Sequence, residues 1–418
     1  MGTPTSHSFL SESYFSDISQ ALSNVGVHQP TLVIDKSRLD QNLVEVKSII
    51  EKGFDYRIVA KSLPSVPMLE YLMKAAGTNR LMSFHMPFLR HVSSLIPHAD
   101  ILMGKPMPVG SVASYYEFIN NRKSEESSFN PELQLQWLID SYDRVAQYGE
   151  LAASLNTNMR ISLEIDVGLH RGGFDSINEF EATLIYIQNH PNLTLSGLMG
   201  YEAHITKVPG FIGGPKKAFD KACQHYQGFV DSIVAIFGKD ELDRLILNTG
   251  GSTTFPLYEN TLEGQKGLVN EIATASALVK PTDFDVYTLD ALSPAAFIAA
   301  PVLKVVNDPE LPMAKGLSKF MHKLGLLPRK ACFIYGGNWL AQPCYPKDSK
   351  RANILGHSSN QEMYELKTSD NIHVDDFMYF RPTQSEAVFL QFGEIAVYED
   401  GKIVDWWPVF ESKQVAVS

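Results

Sequence analysis

The 418-residue sequence predicts an α/β protein in which a parallel (β/α)8 TIM barrel is followed by a mostly β domain. Short apolar strands alternate eight times with amphipathic helices in the first part of the chain, and eight such units close a barrel. Further along, short apolar runs follow one another without long helices between them. The length leaves room for two or three domains of about 150 residues each.

Eight strands are predicted for the barrel, and helical spacing of residues such as Leu39, Leu43 and Val46 marks the helices between them. An open doubly wound sheet is the alternative, but no Gly-x-Gly-x-x-Gly segment follows the first strand. The predicted strands are Thr31–Asp35, Tyr56–Lys61, Arg80–Phe84, Ile101–Met103, Leu133–Ile139, Ile161–Val167, Leu195–Met199 and Leu245–Leu247.

The remaining elements divide the chain into three predicted parts. Residues 1–29 are Ser-rich and are expected to form an arm that packs with the β domain. Residues 30–282 are expected to form the barrel, and residues 283–418 the β domain, with a hairpin turn at Asp400-Gly401. The predicted strands of the β domain are Ala331–Trp339, Asp375–Phe380, Ala387–Leu390, Ile395–Tyr398 and Ile403–Trp407.

Composition excludes several classes of partner. The formal net charge of −11 disfavours a nucleic-acid binder, because such proteins concentrate Lys and Arg. The most apolar stretch, Leu292–Val306, is interrupted by Pro294 and Lys304, so no membrane span is expected. Three cysteines are too few for a disulfide framework, and the first residues lack a secretory signal. We therefore expect a cytoplasmic protein that acts on a small molecule.

The working residues of a barrel lie at the carboxyl ends of its strands. Lys61 follows four largely apolar strand residues, so partial desolvation suits it to Schiff-base chemistry. A lysine that extends to the surface is the alternative reading.

A second candidate site is the segment Asn248–Thr254, which follows the strand Leu245–Leu247. Gly250 and Gly251 allow backbone N–H groups to converge, and Ser252 and Thr253 add hydroxyl donors, so the loop suits a phosphate group. The alternative is an ordinary glycine turn.

The third candidate lies between these two in the chain. Leu163–Gly173 places two acids, His170 and Arg171 at one strand end, where Arg171 could bind a cofactor or a carboxylate. His204 follows the next strand and suits an acid/base or stacking role. A salt-bridged turn and a structural histidine are the alternatives.

Together these residues comprise a Schiff-base lysine, an arginine and a phosphate loop. That combination suits a phosphorylated aldehyde, pyridoxal 5′-phosphate (PLP), which needs an imine at one end and an anchor for its phosphate at the other.

The same segments resemble the fold-type III, alanine racemase-like PLP enzymes, specifically the D-threonine aldolase and D-serine dehydratase branch. The resemblance implies a PLP-binding barrel, a β domain, and a homodimer with its site at the subunit interface. It implies that Lys61 forms the imine, that Gly250, Gly251, Ser252 and Thr253 hold the phosphate, and that Arg171 and Tyr201 lie beside the cofactor. The matching segments are Leu32–Asp35 with Asn42, Val59–Ser62, Leu163–Gly173, Gly197–His204, Gly250–Thr253 and Asn270-Glu271.

The C-terminal part departs from that branch. Its catalytic segment Gln-Glu-His-Gly corresponds to Gln361–Tyr364, and its metal segment Pro-x-His-x-Cys to Pro382–Glu386. Gln384 and Glu386 make a poor zinc site, because a neutral amide replaces an imidazole. We therefore predict no tightly bound zinc and disfavour any divalent metal.

A further departure lies after the phosphate loop, where Glu-x-Arg-Pro-Gly becomes Glu271–Ala275. The arginine of that segment is missing. Ser276 and Thr274 remain as hydroxyl donors for the phosphate.

The expected function is that of a PLP-dependent lyase, of the aldolase/dehydratase type, on a D- or β-hydroxy amino acid. Lys61, His204 and Tyr364 are the expected catalytic residues. Three alternatives stay open: an amino-acid racemase with Lys61 and Tyr364 or a histidine as its two bases, a PLP-binding homeostasis protein, and a Schiff-base aldolase without PLP.

Overall fold

The computed structural model describes residues 10–122, 129–260, 268–311, 315–352 and 356–411. None of the helices in these ranges has the length and apolar character needed to cross a membrane. The strands are β1 (Thr31–Asp35), β2 (Asp55–Val59), β3 (Arg80–Ser83), β4 (Asp100–Met103), β5 (Leu135–Ile139), β6 (Met159–Ile165), β7 (Leu193–Gly200), β8 (Ile246–Thr249), β9 (Glu271–Thr274), β10 (Ala296–Asn307), β11 (Lys330–Ile334), β12 (Ala341–Tyr345), β13 (Lys350–Arg351), β14 (Met363–Leu366), β15 (Phe377–Pro382), β16 (Glu394–Glu399) and β17 (Lys402–Pro408).

The helices range from single turns to one of 24 residues, α9. They are α1 (Glu12–Asn24), α2 (Lys36–Ile50), α3 (Val66–Ala76), α4 (Met86–Leu95), α5 (Val109–Asn120), α6 (Pro131–Gln134), α7 (Tyr142–Leu155), α8 (Ile177–Asn189), α9 (Gly214–Phe237), α10 (Ser276–Val279), α11 (Lys315–Lys323) and α12 (Ser385–Val388).

The described residues form two compact units. The β unit comprises residues 10–42, 278–285 and 290–409, and the barrel unit comprises residues 43–277, 286–289 and 410–411. In the barrel unit, β2 to β9 form a closed parallel barrel in chain order, which the pairing of Asp55 with Glu271 completes. The predicted fold class, a (β/α)8 barrel with a mostly β second part, is confirmed.

Two strand predictions were wrong. Thr31–Asp35 is not the first barrel strand, since β1 pairs with β10 and β16 in the β unit, and the eighth barrel strand is instead β9. All five residues of β1 are buried, a pattern that fits either sheet. Ala387–Leu390 is helical, in α12 and a following 3₁₀ turn, because a short apolar run suits helix or strand equally.

The barrel interior is built in layers, because alternate residues of each strand face inward. The layer nearest the amino ends of the strands is polar and centres on Arg57, Asp100 and Glu271. The next layer is apolar and contains Met82, Leu102, Leu138, Met199 and Ala273. This filled interior leaves chemistry to the carboxyl ends of the strands.

The β unit contains a nine-stranded sheet whose main path runs β13-β14-β11-β10-β1-β16-β17. Helix α1 begins after Ser11, whose hydroxyl accepts from the backbone N–H of Tyr14 at 3.2 Å. Its residues Phe15 and Ile18 pack against the sheet, with the Phe15 ring stacked at 4.6 Å on Tyr379.

Candidate active site

Lys61 lies just past the carboxyl end of β2, in the 3₁₀ turn Ala60–Ser62. Its side chain is half-buried, and its Nζ lies 4.6 Å from the centre of the Phe84 ring. Gly104 makes room for that ring, since a Cβ at position 104 would lie 2.3 Å from it. The lysine is therefore held over an aromatic floor at the mouth of the barrel.

The glycine loop follows β8 and approaches neighbouring groups closely. Gly250 has φ of +90°, a conformation that favours glycine. A Cβ on Gly251 would lie 2.7 Å from Cε2 of Tyr201. The loop backbone thus lies directly against the Tyr201 ring, and a side chain at position 251 would clash with that ring.

Hydroxyl groups join the ends of three barrel strands beside this loop. Ser252 Oγ lies 2.9 Å from Thr274 Oγ1, and the backbone N–H of Ala275 donates to the same Ser252 oxygen at 3.4 Å. Ser276 donates to Ser62, the neighbour of Lys61, at 2.8 Å. The predicted phosphate donors and the lysine segment therefore meet at the same end of the barrel.

Arg171 and Tyr201, the two residues expected beside the cofactor, lie next to each other. The guanidinium carbon of Arg171 is 4.9 Å from the centre of the Tyr201 ring. Asp166 shapes the turn before Arg171 by accepting from the backbone N–H groups of Gly168 and His170. Burial raises the pKa of Asp166, but these bonds and the His170 ring hold it below its usual range.

His204 is partly buried at the same mouth, beside Gly168. Its Nδ1 is buried and has no hydrogen-bond partner among the described residues. Burial lowers the pKa of the ring, and nearby Asp166 opposes that shift. A neutral imidazole with an unsatisfied nitrogen is an arrangement that suits a ligand, because buried polar atoms are normally paired.

Glu164 is one of the two acids of the segment Leu163–Gly173, and the sequence alone predicts no role for it. Burial, and next the charge of Asp140, raise the pKa of Glu164 to about 7, while Arg171 opposes the shift. A carboxyl group whose pKa lies near neutral pH, at the carboxyl end of a barrel strand, is a candidate acid or base. Its spacing two residues before Asp166 was the available signal, because alternate strand residues share a face.

The β unit holds the other three predicted residues. Tyr364 is buried on β14 and donates its hydroxyl to Glu362 at 2.9 Å; burial and Glu362 raise its pKa well above the usual value. Gln384 donates its amide to Asp283 at 3.0 Å, and Ser385 donates to Glu386 at 3.4 Å. Within the described ranges no cluster of three His, Cys, Asp or Glu side chains could hold a metal ion.

The fold and the residues at the carboxyl ends of the barrel strands define an alanine racemase-like barrel protein. The chain belongs to the family described as alanine racemase, N-terminal domain, whose sequence profile matches residues 34–261. This family comprises PLP-dependent enzymes, so the predicted family resemblance is confirmed. No curated protein sequence matches the chain.

Solved structures agree in fold at low identity. D-threonine aldolase from Filomicrobium marinum is 14% identical with a TM-score of 0.68, over 91% of this chain and 94% of that one. D-threo-3-hydroxyaspartate dehydratase from Delftia sp. HT23 is 13% identical with a TM-score of 0.66, over 93% and 99%. Alanine racemase from Clostridium difficile 630 is 14% identical with a TM-score of 0.63, over 91% and 98%.

Proposed function

We propose that the chain is a PLP-dependent amino-acid lyase of the aldolase/dehydratase type, acting on a D- or β-hydroxy amino acid. One observation supports the cofactor part of this proposal most strongly. The hydroxyl contact between Ser276 and Ser62 links the end of the barrel that carries the glycine loop to the segment that carries Lys61. A ligand with an aldehyde at one end and a phosphate at the other would match these two points.

The residues present fit PLP. Gly251 lies so close to Tyr201 that a Cβ would clash with its ring, which leaves the loop backbone uncovered by a side chain at that position, and the buried Nδ1 of His204 has no partner among the described residues. Lys61 Nζ would hold the aldehyde, and Gly251, Ser252, Thr253 and Ser276 would contact the phosphate. Gly250, with its φ of +90°, would shape the loop that presents them. When bound, PLP withdraws electrons from a bond to the substrate Cα.

The surrounding side chains would orient groups and move protons. Arg171, stacked on Tyr201, is placed to fix the orientation of the cofactor ring or of a substrate carboxylate. Glu164, with a pKa of about 7, can gain or lose a proton near neutral pH, and His204 can carry one on its free Nδ1. Tyr364 remains a proposed catalytic residue of the β unit.

We also propose that Gln384 and Glu386 bind no tightly held zinc. The amide of Gln384 is engaged by Asp283, and a neutral amide is a weak zinc ligand. Elemental analysis of the purified protein tests this proposal, and one zinc ion per chain would contradict it.

Further proposals concern assembly and location. Family members commonly form dimers, which supports a homodimer with its site at the subunit interface, and a mass near that of one chain in light scattering would contradict it. The three cysteines, Cys223, Cys332 and Cys344, are free thiols, which supports a reducing, cytoplasmic location.

The activity is tested by incubating PLP-loaded protein with a panel of D- and L-amino acids, including β-hydroxy amino acids. Release of an aldehyde or a 2-oxo acid supports the lyase. Loss of optical rotation without either product would instead indicate the racemase. Bound PLP with no consumption of any amino acid would favour a homeostasis protein.

A further inference from the structure

Glu202 is fully buried in the barrel unit, two residues after the end of β7. Burying a carboxyl group costs free energy unless hydrogen bonds compensate for the lost water. The neighbours supplied by α9 and the turn after the glycine loop are Cys223, Tyr226 and Tyr258, and none of these is basic. The position of Glu202 therefore needs an explanation other than ion pairing with those neighbours.

The carboxyl group is bound at both ends of the glycine loop. Thr249, which precedes the loop, donates its hydroxyl to Oε2 at 3.1 Å. Thr254, which follows the loop, donates its hydroxyl to Oε1 at 2.6 Å. The backbone N–H of Gly250 also donates to the carboxyl group. One side chain thus fixes the two points between which Gly250–Thr253 must arch.

From this geometry we infer that Glu202 is a positioning residue for phosphate binding, acting through the glycine loop; the inference rests on the proposed PLP function. Because the Gly250 N–H is used by Glu202, phosphate is left to the following backbone N–H groups and to the hydroxyls of the loop. Thr249 and Thr254 are both buried, so their hydroxyls serve Glu202 and not the ligand.

If Glu202 has this role, its effect on the phosphate end of the cofactor can be measured apart from any effect on the aldehyde end. The loop contacts would act on the phosphate, whereas Lys61 would act on the aldehyde. Pyridoxal, which carries the aldehyde without the phosphate, is therefore the informative probe. Loosening the loop should weaken PLP binding and leave pyridoxal binding nearly unchanged, whereas general damage to the barrel would weaken both.

The experiment measures the dissociation constants of PLP and pyridoxal by absorbance titration of the full-length protein freed of cofactor. Thr254→Val removes the hydroxyl that donates to Glu202, and Thr254→Ser keeps it. Glu202→Gln, which replaces the accepting carboxyl group, is the second variant and serves if Thr254→Val does not fold. Thr183→Val is the control, at a buried threonine of α8 that donates its hydroxyl to the backbone carbonyl of Glu179. Thermal unfolding of each variant reports on its stability.

We expect Thr254→Val and Glu202→Gln to weaken PLP binding about 10-fold or more, the effect of one buried hydrogen bond to a carboxyl group. Pyridoxal binding should change less than about twofold by the same reasoning, and Thr254→Ser and Thr183→Val should resemble the wild type. Unchanged PLP binding, or equal losses for both ligands, would overturn the role of Glu202 alone. Wild-type protein that binds neither ligand would overturn the proposed cofactor as well.

Discussion

The ionisable side chains at the two ends of the barrel differ in how fully their hydrogen bonds are satisfied. At the amino ends, the fully buried Arg57 uses all its N–H groups, donating to both carboxyl oxygens of Glu271, to Asp100 and to two backbone carbonyls. At the carboxyl ends, His204 has a buried nitrogen with no partner in the described residues, and Glu164 has a strongly raised pKa.

This difference distinguishes residues that affect the stability of the fold from residues suited to binding or catalysis. Removing one partner of a fully hydrogen-bonded buried ion pair is strongly destabilising, because the remaining charge stays buried with fewer partners. Groups with perturbed pKa values or unsatisfied atoms cost stability and are typical of binding and catalytic sites. Substitutions at the two ends should therefore have different signatures.

The largest expected effect is on chemistry, at the carboxyl ends. Lys61→Ala removes the amine proposed to hold the cofactor, so the absorption band of the imine between lysine and PLP should disappear, leaving only that of the aldehyde. Activity should fall by about three orders of magnitude or more, as for loss of a covalent catalyst. Lys105→Ala, at the exposed lysine that follows β4, is the control. A Lys61→Ala protein with unchanged absorption would refute the assignment.

The next effect is on stability, at the amino ends. Arg57→Met leaves Glu271 and Asp100 without their central partner and should cost about 3–5 kcal/mol of unfolding free energy. Urea denaturation measures the loss. Lys216→Ala, which breaks an exposed pair with Asp220 at 3.0 Å, should cost less than about 1 kcal/mol. Equal effects of the two substitutions would contradict the structural role of the buried network.

A smaller effect, on PLP binding, is expected where Gly251 contacts the Tyr201 ring. Gly251→Ala places a Cβ 2.7 Å from the Tyr201 ring, so the ring or the loop must shift. We expect PLP binding to weaken by about 1–3 kcal/mol, the usual cost of overpacking. Isothermal titration of PLP measures the change. The control is Gly228→Ala on α9, where a Cβ meets no atom within 4 Å. If both variants bind PLP like the wild type, the close contact between Gly251 and Tyr201 is not needed for binding.

The smallest effect is a pH dependence of stability. The pKa of Glu164 is raised from 4.5 to about 7, so the folded protein keeps a proton that the unfolded chain releases. Stability should therefore fall as the pH rises from 4.5 through 7, and Glu164→Gln should remove that loss. The difference at pH 8 is on the order of 1 kcal/mol after solvent screening.

Denaturation at pH 5 and pH 8 compares Glu164→Gln with the wild type and with Glu45→Gln, at an exposed position on α2. The Glu45→Gln variant should follow the wild type at both values. Identical pH dependence in all three proteins would show that Glu164 does not hold a proton in the folded state.

Local patterns predicted the barrel but not which strand closes it. Glu271–Thr274 begins with a charged residue, so it does not read as a buried strand, although Glu271 is buried because it meets Arg57 across 214 positions of sequence. Thr31–Asp35 reads as a barrel strand but belongs to the other sheet. Such pairings depend on distant partners that a window of sequence does not contain.

The candidate site divides in the same way. Lys61 and the glycines at 250 and 251 were predictable because their residue types and their place after a strand already indicate the chemistry. The role of Glu202 was not, since it depends on Thr254, which lies 52 positions away. The raised pKa of Glu164 likewise depends first on its burial in the folded barrel and next on the charge of Asp140, which another strand end supplies.

The most direct test of the central claim locates the cofactor chemically. The wild-type protein is loaded with PLP, reduced with borohydride, digested and analysed by mass spectrometry. The account predicts one pyridoxyl group per chain, on the peptide that contains Lys61. Failure to take up PLP, or a label on Lys105 or any other lysine in place of Lys61, would contradict it.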